Sequence, residues 1–249
     1  MNWSRIKTIM ICFLVFINVF LIGFMAITTY KENNISDDVV DSSLVVLSAK
    51  GFACDKNIFP NKKLSLPRLN VDFYSPSELC DIFFKKQVAF RTVGDYLIAQ
   101  YDGATLEVKD NFFCYTTDST PKRQMASAYK SALKKIGLDF DELEFDEKIQ
   151  TFHINHKSIK LDDAYLKISL DENGDICMLK GVWPQHIRKG TTEKVSFSDE
   201  IVKLTNVFTN GGEIQSIKVI YSLYNSNNKK YHYKPLWEVT VDNETKIIQ

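Results

Sequence analysis

The chain has 249 residues, with Lys plus Arg equal to Asp plus Glu at 31 each. A balanced charge leaves no basic field to hold nucleic acid or to grip anionic lipid. Aromatics at 12%, with only 10 glycines and 6 prolines, exclude a disordered stalk and describe an ordinary folded protein.

The chain opens with Arg5 and Lys7, then an apolar run from Ile9 to Ile27 whose only strongly polar member is Asn18. A helix rises about 1.5 Å per residue, so the run reaches roughly 28 Å, close to the ~30 Å of bilayer hydrocarbon. The leading tail carries two cations and no acid, whereas the far flank, YKENNISDDVVD, mixes Lys31 with Glu32, Asp37, Asp38 and Asp41. The positive-inside rule then predicts a cytoplasmic tail (1–8), a transmembrane helix (9–29) and an extracellular remainder, with Trp3 and Tyr30 near the two interfaces. The competing reading is a cleaved signal peptide. Its apolar region spans about 7–15 residues and ends in small residues of the A-x-A kind. Here the run is longer, and FMAITTYKEN is a poor cleavage site. Asn18 has two readings. It seeks an interhelical hydrogen bond worth about 0.6–2 kcal/mol, or it sits alone, turned toward its own backbone.

About 220 residues follow the span, enough for one large domain or two to three small ones. Cys54, Cys80, Cys114 and Cys177 are widely spaced with no C-x-x-C pair, which disfavours a zinc cage. Two disulfides in three pairings, or buried free thiols, both stay open.

Segment 36–50 reads as a helix. Ser36 is its cap, Asp37 and Asp38 lie in the first turn, and Val39, Val40, Leu44 and Leu47 form the stripe before Gly51. Residues 51–74 read as extended or irregular, with Pro60 and Pro67 as breaks. A helix-then-strands pattern then recurs. SPSELCDIFFKK has the capping-box spacing of Ser75 and Glu78 with Pro76 in the first turn. Strand-like VAFRTV, DYLIAQYD, ATLEVKD and NFFCYTT follow, with Asp102-Gly103 as a hairpin signal. A second round starts at STPKRQMASAYKSALKKIG, with Ser119 or Thr120 as cap, and continues through TFHINHKSI, AYLKISLD and ICMLKGVWP. A third starts at SFSDEIVKLTNVFTNGG, capped by Ser196, and ends in EIQSIKVIYSLYN and YKPLWEVTVD. The strands alternate apolar and polar residues, so one sheet face is buried and one is wet. The expected architecture is α+β: one N-terminal transmembrane helix, then small modules of antiparallel sheet, each with a packed helix. The modules are 30–118, 119–190 and 191–249, the last either separate or packed with the second as one domain.

No catalytic constellation stands out. His153 and His156, three apart in a strand, point to opposite faces, which argues against joint metal binding. There is no H-E-x-x-H, G-x-S-x-G or phosphate-binding glycine loop. Gly211-Gly212 reads as a helix stop. Asp162-Asp163, and Asp139 with Asp141, read as solvated loop charges. The tyrosines and tryptophan of the last strands, among them Tyr231, Tyr233 and Trp237, have two readings, an exposed binding surface or, more simply, core and cross-strand pairs. No enzyme activity, cofactor or metal is expected.

The opening NWSRIKTIMICFLVFINVFLIGF resembles the start of the YycI (WalI) family of Gram-positive bacteria, through Trp3, Ser4, Arg5, Lys7, Thr8 and Asn18. The helix at 36–50 with Gly51-Phe52 is similar to that family's first extracellular element. YHYKPLWEVTVDN, through Pro235, Leu236 and Trp237, is similar to the final strand of YycI and of PepSY-like modules. Five cysteines depart from a family that has few. The resemblance implies a YycI/YycH-like fold and regulation without catalysis in the cell membrane. Its partners would be a WalK/YycG-like sensor histidine kinase, of the two-component system controlling cell-wall metabolism, and a YycH-like sister protein. It places the kinase contact in the transmembrane helix, with Asn18, Trp3, Arg5 and Lys7 as partner-binding candidates. The alternative function is a surface-tethered binding or inhibitory module for a peptide, a protease or wall polymer.

Overall fold

The computed structural model describes residues 3–138, 143–226 and 230–248. In chain order the elements are α1 (Trp3–Asn33), α2 (Asp37–Ala49), β1 (Phe52–Cys54), β2 (Leu64–Phe73), α3 (Pro76–Phe84), β3 (Arg91–Val93), β4 (Tyr96–Tyr101), β5 (Ala104–Lys109) and β6 (Phe112–Thr117). Then come α4 (Ala126–Lys135), β7 (Leu143–Asp146), β8 (Thr151–His156), β9 (Ile159–Leu170), β10 (Ile176–Val182) and β11 (Pro184–Val195). A 3-10 turn (Phe197–Glu200), α5 (Ile201–Val207), β12 (Gly212–Ser226), β13 (Lys230–Val241) and β14 (Glu244–Ile248) complete the chain. The fold is α+β, an N-terminal apolar helix followed by a largely antiparallel set of strands with packed helices.

The chain forms two compact units, each assembled from separate segments: Met1–Leu66, Lys194–Lys218 and Trp237–Gln249 in the first, Pro67–Glu193 and Val219–Leu236 in the second. This grouping departs from three consecutive modules. Residues far apart in sequence pair as strands, so compactness does not follow chain order. In the first unit β1 pairs with β12 in parallel, Phe52 opposite Gly212. In the second, β2 pairs with β13, Val71 opposite Tyr231. Pro67 lies inside β2 and does not break it.

In the first unit, α2 buries Val40, Ser43 and Leu47 and packs over β1, the 3-10 turn and α5. Phe197 is the centre of an aromatic stack, 5.4 Å from both Phe59 and Trp237 with edge-to-face rings. Gly211 is not the helix stop its sequence suggests, since α5 already ends at Val207 with Phe208 after it. Gly212 donates to the Gly51 carbonyl at 3.0 Å, and a Cβ on Gly211 would lie 2.4 Å from that oxygen. The two glycines therefore let α2 and β12 close on one another.

In the second unit the strands run β2, β13, β12, β9, β10, β6, β5, β4, β3, with β11 outside β2 and β8 and β7 extending from β9. Most pairs are antiparallel, as expected, but β12 and β9 run parallel, Tyr221 opposite Leu161. Alternation decides the faces: on β5, Ala104, Leu106 and Val108 are buried while Thr105, Glu107 and Lys109 are half-exposed. The buried rows meet α3 through Leu79, Cys80 and Phe84, and α4 through Tyr129, Ala132 and Leu133. Leu79, Phe84 and Leu133 each contribute about 1.5–3 kcal/mol of burial, which holds these short helices in place. The expected capping box of α3 is present: Ser75 accepts from the Glu78 N–H, and Glu78 accepts from the Ser75 N–H. The second predicted start is displaced. Neither Ser119 nor Thr120 caps α4, which begins at Ala126 after Met125, because Lys122 is drawn off to bond the Leu170 carbonyl at 2.7 Å. Ser196 does stand at the N-cap position, of the 3-10 turn, but its hydroxyl bonds that of Ser198 and makes no capping bond.

Candidate functional site

The first candidate is the exit of α1. From Ile9 to Asn33 the helix has mean hydropathy 2.7 and none of its most apolar window is buried in the protein. A continuous bare apolar surface of this kind is unfavourable in water and suits lipid. The helix is a candidate single membrane span, and a signal sequence shares its features. Asn18 is exposed on it, as is Lys7; the side chains of Trp3 and Arg5 lie outside the described residues.

The lower end of α1 is tied to the first unit by its backbone. Lys63 donates to the Asn33 carbonyl at 2.9 Å, and Ile35 donates to the Asn61 carbonyl at 2.9 Å. The Asn34 side chain folds back to the Tyr30 carbonyl at 2.9 Å. Ile35 is 7% exposed, so the chain leaving the helix enters the core at once. Lys194 reaches Glu32 at 3.5 Å, an exposed pair that adds little energy. Beside these bonds lies a cleft of about 820 Å³ whose lining includes Tyr30, Lys31, Asp37, Lys63 and Asp199, with both signs of charge present. A turn or tilt of α1 must carry residues 61–63 and the start of α2 with it.

The second candidate is a cleft of about 820 Å³ in the second unit. Its walls are the end of β2 (Asp72, Phe73), the start of α3 (Tyr74, Ser75), the β5–β6 turn (Asp110, Asn111) and β11 (Arg188, Lys189), with Tyr231 of β13. Asp72 is paired with Arg188. The Phe73 ring meets Tyr231 edge-on, centroids 5.3 Å apart at 89°. Below them Glu78 accepts from Ser75 and from the Gln185 amide at 2.8 Å. The Ser75 bonds and then that of Gln185 hold the Glu78 carboxyl below its usual range. Burial, then Glu78, pushes the Tyr74 phenol up.

Other sequence candidates are placed differently. Tyr231 is half-buried in the cleft, but Tyr233 and Trp237 are core residues, 0% and 3% exposed, because the β13 alternation turns Tyr233 inward and Phe197 covers Trp237. Burial, then Asp163 and Asp162, drives the Tyr233 phenol upward. Asp162 and Asp163 are not loop charges. They lie within β9, where Asp163 accepts from the Leu223 N–H at 3.2 Å, and burial followed by Asp163 raises the Asp162 carboxyl. Asp139 and Asp141 lie outside the described residues. His153 and His156 are both half-buried on β8, which is irregular between His153 and Asn155. Among the described residues no three His, Cys, Asp or Glu side chains group to hold a metal. All five cysteines are free thiols, with Cys80 and Cys177 buried.

Fold and exit geometry together define a class: an α+β chain whose single candidate membrane span is bonded directly into a folded unit. No protein-family model matches the chain, and no curated protein matches it. Among solved structures, an uncharacterised protein from Eubacterium rectale is similar at 16% identity and a TM-score of 0.42, covering 79% of this chain and 85% of its own. The YpeB C-terminal domain of Bacillus megaterium is similar at 12% identity and a TM-score of 0.30, covering 87% of this chain and 99% of its own.

Proposed function

We propose that this chain is a non-catalytic regulator anchored in the cell membrane by α1, N-terminus in the cytoplasm, that modulates a sensor histidine kinase of a two-component system controlling cell-wall metabolism. The observation that carries the reading is the bonded exit of α1. A mere tether needs no fixed angle to its cargo, whereas the Lys63–Asn33 and Ile35–Asn61 bonds make the helix and the first unit turn together. Binding of an extracellular partner, such as a YycH-like sister protein, then rotates or tilts a helix lying beside a kinase helix. Asn18, exposed on that helix, supplies the interhelical hydrogen bond. A bias of about 1–2 kcal/mol shifts a two-state kinase about five- to thirtyfold.

The test replaces Asn18 with Leu and, separately, residues 9–27 with poly-Leu, and measures co-purification with the kinase and kinase autophosphorylation in membranes. Reduced capture and altered output are expected from both. Unchanged output from both rejects signalling through the helix. Full activity from an exterior that lacks α1 would instead identify a tethered binding module.

A further inference from the structure

We propose that the cleft between β2, the start of α3, the β5–β6 turn and β11 binds a short sugar chain. The assignment does not depend on the kinase reading. At about 820 Å³ the cleft falls within the roughly 300–1,000 Å³ of small-molecule sites. Its lining has the two parts that a sugar ring requires. Half-buried Phe73, Tyr74 and Tyr231 offer apolar ring surface to the C–H face of a pyranose. The edge-on Phe73–Tyr231 contact holds one of these rings in place before any ligand arrives. Around them stand both acceptors and donors: the Asp72 and Asp110 carboxylates, the Arg188 guanidinium, and the Asn111 amide, which does both. A hydroxyl is donor and acceptor at once, so it satisfies both kinds of neighbour.

The charge distribution separates this ligand from an ion. Arg188 is already bonded to Asp72, and Asp110, Lys189 and Lys230 stand in the same lining. Both signs of charge line the cleft, so neither a bare phosphate nor a bare cation is matched by its whole lining. The frame is also preformed. The Ser75–Glu78 capping box fixes the start of α3, Gln185 ties Glu78 to β11, and Asp110 turns at φ +50.

Hexose rings reach such a site from two sources, a plain N-acetylglucosamine oligomer or a wall glycan in which every second ring bears a carboxylate. The full chain in detergent micelles is titrated by calorimetry with chitotetraose and with a purified N-acetylglucosamine–N-acetylmuramic acid strand. Saturable binding of at least one is expected, weakened about tenfold by Tyr231→Ala and by Asn111→Ala and unchanged by Tyr96→Ala, an exposed aromatic outside the cleft. Tighter binding of the wall strand would show that Lys189 or Arg188 reads the carboxylate; equal binding would show that the ring alone is read. Asn111 sits in a turn, so its variant decides the matter even if Tyr231→Ala fails to fold. Failure of both sugars to bind, binding indifferent to both cleft variants, or displacement of the sugar by inorganic phosphate overturns the assignment. None of these outcomes touches the Asn18 experiment.

Discussion

The backbone N–H of Lys63 donates to the carbonyl of Asn33 at 2.9 Å, so the last turn of the apolar helix is held by a strand-edge segment thirty residues further on. That bond satisfies a carbonyl which a helix end leaves open, and it replaces a flexible linker with a fixed joint.

On the proposed function, breaking the joint should separate anchoring from signalling. Inserting Gly-Ser-Gly between Asn34 and Ile35 should leave the protein in the membrane and shift its melting temperature by no more than about 4 °C. The effect on the kinase should fall to that of a strain lacking the protein. Membrane fractionation, thermal unfolding and kinase autophosphorylation check the three parts.

Gly211 should be far less replaceable than Gly174. At φ +69 an added Cβ on Gly211 meets the Gly51 carbonyl oxygen at 2.4 Å, whereas Gly174 at φ +80 has nothing within 4 Å. Gly211→Ala is expected to cost about 1–3 kcal/mol, and Gly174→Ala about 1 kcal/mol from its backbone angle alone. Urea unfolding of the two variants ranks them.

The capping box of α3 makes stability depend on acid. Glu78→Ala should cost about 1 kcal/mol at pH 7, and Glu78→Gln less, because glutamine also serves at that position. The folded carboxyl titrates below its ordinary 4.5, chiefly through its bonds from Ser75. The unfolded chain therefore takes up the proton first. The contribution is complete above the ordinary value and is lost as pH falls through the lowered one. The stability gap between wild type and Glu78→Gln should close over that acidic window.

His153 adds a limb at higher pH. Burial, then Lys160, lowers its imidazole from 6.5. The folded state resists the proton that the unfolded state accepts, so stability is complete above 6.5 and declines as pH drops below it toward the lowered folded value. His153→Asn should flatten that decline in chemical unfolding measured from pH 7.5 to 5.

The thiols should behave as single groups. A reductant is expected to leave the melting temperature unchanged, since no cysteine among the five is bridged. Cys80 and Cys177, being buried, should react with maleimide only after denaturant is added, which intact-mass spectrometry counts directly.

Parts of this architecture are legible along the chain because their causes are local. The Ile9–Ile27 run is apolar by composition, Ser75 and Glu78 are three residues apart, and Asp102 and Gly103 at φ +50 and +72 form the hairpin turn their types call for. The start of α4 was not legible, because a bond from Lys122 to Leu170 competes with helix formation at Ser119 and Thr120. The cleft beside β2 and α3 was legible only at Tyr231 and in the SPSE motif beside it. Its other walls come from segments 72–75, 110–111 and 188–189, and no spacing rule links them.

What the sequence determines by itself is therefore an apolar run long enough to span a bilayer, the α+β class, the Ser75–Glu78 cap and the Asp102-Gly103 turn, each set by the chemistry of neighbouring residues. Only the tertiary structure decides that Gly51 meets Gly211, that Asp162 and Asp163 sit inside a strand, and that Tyr233 and Trp237 face inward while Tyr231 lines a cleft. Those outcomes depend on strand partners up to 164 residues away, as Leu69 and Tyr233 are, and a residue's surroundings are fixed by its partner as much as by its own side chain.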